Sequence, residues 1–133
     1  MIAANRLPVT RGPDGEWQTS PGGLVRALLP TVRESRGSWV GWTGERDGGS
    51  EAIHGEGIEL FTVPLSSNEV DRYYEGFSND TLWPLYHDAI RDSGYHSTDW
   101  DAYAVVNQRF ATRIAEIIRH APLRPDYSLR RCR

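Results

Sequence analysis

The chain is poor in cysteine, in long apolar runs and in net charge, and each shortage excludes a class of protein. The only cysteine, Cys132, lies next to the C-terminus, which excludes a disulfide framework and a thiolate metal site. No apolar run approaches the length of a membrane span, and the first residues lack a charged segment followed by an apolar one. The net charge of −3 offers no positive field for nucleic acid. We therefore expect a cytoplasmic globular protein with no membrane or nucleic-acid partner.

The histidines and carboxylates form no familiar catalytic or metal-binding motif. His54, His87, His96 and His120 have neither the HxH nor the HExxH spacing, so we expect no metal site. No GxSxG sequence marks a nucleophilic serine, and no two carboxylates stand out as an acid–base pair. Any chemistry of this chain therefore has to be inferred from other residue types.

The first half of the chain alternates between strand and helix patterns. The loop at residues 8–21 carries the turn sequence Gly-Pro-Asp-Gly at 12–15, and Gly22-Gly23 then opens a short helix. A polar, glycine-rich loop or hairpin is predicted at residues 43–57. The predicted strands are residues 1–5, 38–42 and 58–65. This order predicts an α/β layered domain.

The second half of the chain predicts helices. Residues 66–69 have the capping-box pattern that begins a helix. Glycine, serine and asparagine at residues 76–79 predict a break, after which a short helical piece begins at Asp80. Thr98 is predicted to cap the longest helix. Residues 121–133 hold two prolines and four arginines, and we expect a disordered tail.

Residues 73–87 carry five aromatic rings, a histidine and several small polar groups. Amphipathic rings beside hydrogen-bonding groups suit a sugar, which has flat C–H faces and a rim of hydroxyls. Tyr74 and Trp83 are the candidates for a sugar site. The other three rings are assigned to the core: Tyr73, Phe77 and Tyr86. The stretch therefore predicts one face of a carbohydrate or sugar-phosphate site.

Arg6, Gly22 and Gly23 are candidates for phosphate binding. Adjacent glycines before a helix allow backbone N–H groups to approach a phosphate, although such pairs are also common in ordinary turns. Arg6 follows a strand and has the fork geometry that suits phosphate, although a loop arginine on the surface is the simpler interpretation. Neither signal decides the function by itself.

Several motifs, in this order, together resemble the trehalose-6-phosphate synthase family. They are Ala-Asn-Arg-Leu-Pro-Val (4–9), Ser-Pro-Gly-Gly-Leu-Val (20–25), Trp-Val-Gly-Trp-Thr-Gly (39–44), the aromatic stretch 73–87, Trp-Asp-Ala-Tyr (100–103) and Val-Asn-Gln-Arg-Phe (106–110). The resemblance runs from residue 2 to about residue 120 and is carried most specifically by the aromatic stretch.

The resemblance implies a fold and a reaction. The family has the GT-B architecture, in which two Rossmann-like domains face each other across a cleft, and this chain would be the N-terminal half with an incomplete sheet. The family transfers glucose from UDP-glucose to glucose 6-phosphate, giving trehalose 6-phosphate with retained anomeric configuration. It uses no metal or cofactor and forms no covalent intermediate, so the enzyme acts mainly by positioning and charge stabilisation.

The resemblance also assigns roles to individual residues. Arg6 would bind the phosphate of glucose 6-phosphate, and Tyr74 would bind the same acceptor. Trp83 would shape the acceptor pocket and its anomer preference. The backbone N–H groups of Gly22 and Gly23 would contact the diphosphate of UDP-glucose.

This chain also departs from the family pattern. It has no His-Asp-Tyr strand after the long helix and none of the C-terminal domain. We therefore expect a partial acceptor-side domain at residues 1–120, a non-homologous tail at 121–133, and a truncated chain without activity of its own. A non-catalytic glucose-6-phosphate-binding module and a non-functional gene remnant remain alternatives. Donor nucleotide preference and oligomeric state stay open.

Overall fold

The computed structural model describes residues 1–49, 53–55, 57–87 and 95–120. The elements in chain order are β1 (Ile2–Arg6), β2 (Val9–Arg11), β3 (Trp17–Thr19), α1 (Gly23–Glu34), β4 (Ser38–Trp42), β5 (Ile53–Gly55), β6 (Ile58–Thr62), α2 (Ser67–Glu69), a π-helix (Val70–Leu82), α3 (Trp83–Tyr86) and α4 (Ser97–His120). The predicted tail at 121–133 lies outside the described residues. Within them, no helix is both long enough and apolar enough to cross a membrane.

The main sheet has the strand order β1-β4-β6-β5. Strands β1, β4 and β6 are parallel, and β5 pairs antiparallel with β6. Trp39 in the central strand β4 lies between Ile2 of β1 and Leu60 of β6. The parallel pairing, with α1 linking β1 to β4, confirms the predicted α/β class.

Each face of the sheet is covered by a separate core. Alternate residues of a strand point to opposite faces, so Trp39 lies in one core and Val40 and Trp42 in the other. The first core includes α1 through Val25, Leu29 and Val32. The second core includes residues of the π-helix and of α4: Val70, Tyr73, Val106 and Phe110. The candidate residue Tyr74 packs against this second core, which also contains Trp42.

The predicted loop at residues 8–21 is a small hairpin of β2 and β3. Its turn is the one that the sequence Gly-Pro-Asp-Gly predicts, because Gly15 has a φ of +83° and donates its N–H to the Gly12 carbonyl at 3.0 Å. The strands were missed because each has only three residues. Strand β6 is also shorter than predicted and ends at Thr62, although Val63 still donates its N–H to the Gly41 carbonyl at 2.9 Å.

The capping box is confirmed. The Ser66 hydroxyl accepts from the Glu69 N–H at 3.3 Å, and the Glu69 carboxylate accepts from the Ser66 N–H at 2.9 Å. From there the chain is helical to Tyr86 without interruption.

The predicted break at 76–79 is therefore wrong, as is the separate start at Asp80. These residues lie inside the π-helix, and the Ser78 hydroxyl donates to the Tyr73 carbonyl at 2.7 Å. Gly76 is needed for packing instead. A Cβ there would lie 2.8 Å from a carboxylate oxygen of Asp99, near the start of α4.

Helix α4 begins at Ser97, so the predicted cap Thr98 lies inside the helix, and α4 packs against the π-helix through aromatic rings. The predicted burial of Tyr73 and Phe77 is confirmed. The prediction for Tyr86 is wrong, because its side chain is 79% exposed. It lies in the single turn of α3, where only Pro84 is buried.

Candidate functional site

Arg6 is the last residue of β1 and lies at the carboxyl edge of the parallel strands. Its partner in the neighbouring strand is Trp42, the last residue of β4. The Arg6 guanidinium carbon lies 5.0 Å from the centre of the Trp42 ring, which is the geometry of a cation–π contact. Ligands of open α/β sheets bind beyond this edge, so the structure puts Arg6 where a ligand is expected.

Trp42 connects Arg6 to Tyr74. Its indole is buried, and the Nε1–H donates to the Glu45 carbonyl at 2.8 Å, which fixes the ring's orientation. Tyr74 packs edge-on against the same indole, with ring centres 5.5 Å apart and planes at 64°. Arg6 and Tyr74, 68 positions apart in the numbering of the chain, are therefore brought together by one tryptophan.

The sequence predicts a strand for Trp42 but indicates no part for it in the site. A signal was available, since Arg6 and Trp42 end strands that were both predicted. Parallel neighbours bring such ends to one edge of a sheet.

The loop that follows Trp42 is fastened to the helix that carries Tyr74. Asp47 accepts from the Ser67 N–H at 2.9 Å and also from the Ser67 hydroxyl, and these hydrogen bonds lower the pKa of Asp47. Arg46 pairs with Asp71 and, at 2.9 Å, with Glu75, one residue after Tyr74. The loop and the helix thus hold Trp42 and Tyr74 in a fixed relation.

Gly22 and Gly23 lie at the N-terminus of α1, which starts after β1 and leads into the parallel strand β4. This connection puts the helix N-terminus at the same edge of the sheet as Arg6. Neither glycine is required by the fold around it. Gly22 has an ordinary extended backbone, a Cβ there would meet only a Val25 methyl at 3.7 Å, and one on Gly23 would meet nothing within 4 Å.

The first turn of α1 suits an anion. It holds no acidic residue, and no side chain caps Gly22. Backbone N–H groups in a first turn point away from the helix and favour negative charge. The N-terminus of α1 therefore offers backbone N–H donors, and the two glycines there have no side chain that would keep an anion away.

Trp83 lies further along the same helical run as Tyr74, and about half of its side chain is exposed. Its ring stacks on the His87 imidazole, with centres 4.3 Å apart and planes at 12°. The His87 Nδ1 lies 2.9 Å from the Trp83 carbonyl and must donate, because a carbonyl only accepts. One face of the indole is thus held by His87.

The described residues contain no group of three or more histidine, cysteine, aspartate or glutamate side chains that could hold a metal ion. The side chain of His54 lies outside what the structure describes.

The chain is similar to known glycosyltransferases along nearly its whole length. The family model "Glycosyltransferase family 20" matches residues 1–129. The match extends into residues 121–133, and the predicted domain boundary at residue 120 stays a prediction. The trehalose-6-phosphate synthase of Mycolicibacterium smegmatis is 54% identical over 119 residues, which cover 86% of this chain and 24% of that protein. The chain thus spans about a quarter of the length of the curated relatives it matches.

Solved structures show the same fold. The UDP-forming α,α-trehalose-phosphate synthase of Burkholderia xenovorans in complex with glucose-6-phosphate has a TM-score of 0.69 at 28% identity, covering 87% of this chain and 24% of that chain. An E. coli structure bound with UDP-2-fluoro glucose has a TM-score of 0.68 at 27% identity and covers the same shares. The expected partial Rossmann-like domain of a GT-B glycosyltransferase and the resemblance to the N-terminal part of trehalose-6-phosphate synthase are confirmed. Because the family model spans almost every residue, the chain belongs to glycosyltransferase family 20.

Proposed function

We propose that this chain forms the acceptor side of a retaining glycosyltransferase that transfers glucose from UDP-glucose to glucose 6-phosphate, giving trehalose 6-phosphate. The observation that carries the proposal is that Arg6 and Tyr74 both contact the Trp42 indole, at the carboxyl edge of the sheet. The names of the relatives support the same reaction. The composition favours a cytoplasmic location.

The acceptor would bind by its phosphate and its sugar ring. The Arg6 guanidinium would hold the phosphate through charge-assisted hydrogen bonds. Tyr74 would contact the sugar beside it, since its ring is only partly buried and leaves surface for a ligand. Trp83 would offer its half-exposed indole to a C–H face of the acceptor, and its fixed orientation against His87 would favour one anomer.

The donor would bind by its diphosphate at the N-terminus of α1. The Gly22 and Gly23 backbone can approach closely, because no side chain intervenes there. As the bond from glucose to UDP breaks, negative charge grows on the leaving diphosphate, and N–H groups with the positive end of the helix stabilise it. The accepting hydroxyl of glucose 6-phosphate bonds to the anomeric carbon as the bond to UDP breaks, and its proton passes to the leaving diphosphate.

The acceptor part of the proposal is tested by Arg6→Gln. We expect the chain to bind glucose 6-phosphate more tightly than glucose, and the substitution to lower glucose-6-phosphate affinity by about tenfold, since a charge-assisted contact is lost. Heteronuclear NMR titration with the two ligands measures this. Arg119→Gln, which removes the same charge in the last turn of α4, serves as the control and leaves the affinity unchanged. Absence of saturable binding at millimolar ligand, or equal affinities for Arg6→Gln and the wild type, would contradict the proposal.

The donor part is tested by Gly23→Ala. The added methyl group meets nothing in the protein and suits a helix, so stability should stay equal or rise by about 0.5 kcal/mol. Affinity for UDP-glucose should nevertheless fall several-fold, because the methyl group occupies the space of the diphosphate. Thermal unfolding and calorimetry measure the two effects, and glucose 6-phosphate is the control ligand. An alanine variant that binds UDP-glucose as the wild type does would remove Gly23 from the donor site.

A further inference from the structure

The Arg6 side chain is long, charged and exposed, and its guanidinium lies over the ring of Trp42. An arginine of this kind has several rotatable bonds, and fixing it when a ligand binds costs side-chain entropy. A protein that fixes the guanidinium beforehand avoids this cost in each binding event. The residues that fix it therefore contribute to affinity without touching the ligand.

Gly44 lies directly against the guanidinium. A Cβ at this position would lie 2.1 Å from Arg6 Nη2, 2.7 Å from Cζ and 3.1 Å from Nε. Gly44 also has a φ of +96°, in the left-handed region that residues with side chains rarely adopt. The glycine thus meets two requirements, a backbone turn after Trp42 and space for the charged head of Arg6.

Trp42 supplies the other contact surface. The guanidinium carbon lies 5.0 Å from its ring centre, so the face of the indole attracts the positive charge of Arg6. The indole cannot easily turn away, because its N–H is bonded to the Glu45 carbonyl and its edge meets Tyr74. A movement of Trp42 would therefore displace both Arg6 and Tyr74, the two residues predicted to bind the acceptor.

We propose that Trp42 and Gly44, together named the Arg6 platform, are positioning residues that hold the Arg6 guanidinium ready for the phosphate of the acceptor. This rests on the proposed function for the identity of the ligand. The platform belongs to one short segment, so the carboxyl end of β4 and its turn set the geometry of the acceptor site.

Gly44→Ala tests the platform. The atoms that a new methyl group would strike are the far end of a flexible side chain, so we expect the guanidinium to move while the fold is kept. The matched control is Gly57→Ala. Gly57 has a φ of +70°, and a Cβ there meets nothing within 4 Å, so this variant carries the same kind of backbone strain without the collision. Gly57 precedes β6, whereas Arg6 ends β1 at the other side of β4.

Two measurements are made on the 15N-labelled chain. The first is the Arg6 Nε–H signal, which the Trp42 ring current should displace upfield in the wild type and in Gly57→Ala, but not in Gly44→Ala. The second is affinity for glucose 6-phosphate, which should fall about tenfold in Gly44→Ala and stay unchanged in Gly57→Ala, with glucose binding equal in both. Trp42→Phe, which keeps an aromatic ring in the core but loses the bond to the Glu45 carbonyl, should reduce the displacement.

The outcomes separate this inference from the proposed function. An undisplaced Arg6 signal in the wild type, or equal glucose-6-phosphate affinities in Gly44→Ala and Gly57→Ala, would overturn the platform while leaving the acceptor site in place. Failure of the wild type to bind glucose 6-phosphate would overturn the proposed function, and with it the ligand assigned to the platform. A displaced signal that Gly44→Ala abolishes, together with the selective loss of affinity, supports both.

Discussion

Glu69→Gln is expected to lower the free energy of unfolding by about 2 kcal/mol at neutral pH, because it removes the charge from a partly buried ion pair. Glu69 accepts from both terminal nitrogens of Arg109, at 2.5 and 2.9 Å. Arg109 also donates to the Pro64 carbonyl at 2.9 Å. The pair therefore joins α4 to the start of the helix that carries Tyr74. Glutamine can still accept from the Ser66 N–H, so the substitution removes the charge and leaves the capping box.

The same pair makes stability depend on pH in the acid range. The hydrogen bonds from Arg109, foremost among several causes, lower the pKa of Glu69 from 4.5 to about 2. Because the pKa is lower in the folded state, the contribution is fully present above about pH 4.5 and is lost as the pH falls towards 2. The wild type and Glu69→Gln should thus differ at pH 7 and approach each other at pH 3.

Urea unfolding at the two pH values measures the difference. Glu116→Gln is the control, since its pair with Arg113 is exposed and lies within one helix, and should change stability by less than about 0.5 kcal/mol. A difference between the wild type and Glu69→Gln that is the same at pH 7 and pH 3 would contradict the role of the charge.

Local patterns in the sequence predicted this helix start but not what stabilises it. The capping box is visible because Ser66 and Glu69 are three residues apart and act on each other's backbone. Arg109 follows Glu69 by 40 residues, and no periodicity connects them. The pairing depends on α4 folding back across the π-helix, which is a tertiary event.

The break predicted at residues 76–79 failed for a related reason. Glycine, serine and asparagine commonly end helices, and a local interpretation favours a turn. Here Gly76 makes room for Asp99, and the Ser78 hydroxyl bonds to a carbonyl within the π-helix. Packing against α4 therefore overrides the local preference.

Some residues of the candidate site could likewise be predicted from the sequence, and others only from the structure. Arg6, Tyr74 and the two glycines of α1 could be named from the sequence, because the family motifs contain them. Trp42 and Gly44 lie in one of those motifs but had no assigned role, since a buried strand residue and a turn glycine look ordinary. Only the structure shows that the Arg6 guanidinium lies against both Trp42 and Gly44.

Trp39→Ala is expected to have the largest effect on stability, a loss of about 3–5 kcal/mol. The Trp39 side chain is completely buried between neighbours on both adjacent strands. Its Nε1–H donates to the Arg6 carbonyl at 3.1 Å. The ring therefore fills the core on the α1 side and also holds the end of β1. A loss of this size can unfold a small domain outright, so Trp39→Phe is the informative variant.

Trp39→Phe keeps most of the buried ring but loses the bond to the Arg6 carbonyl. We expect a loss of stability of about 1–2 kcal/mol and, in addition, weaker glucose-6-phosphate binding in the protein that remains folded. Urea unfolding and NMR titration separate the two effects. Trp17→Phe, in the hairpin, is the control and should leave the affinity for glucose 6-phosphate unchanged. If Trp39→Phe loses stability while binding as tightly as the wild type, the Arg6 side chain is held by the platform alone. If the affinity falls too, the hydrogen bond from Trp39 to the end of β1 helps to position Arg6 for the acceptor.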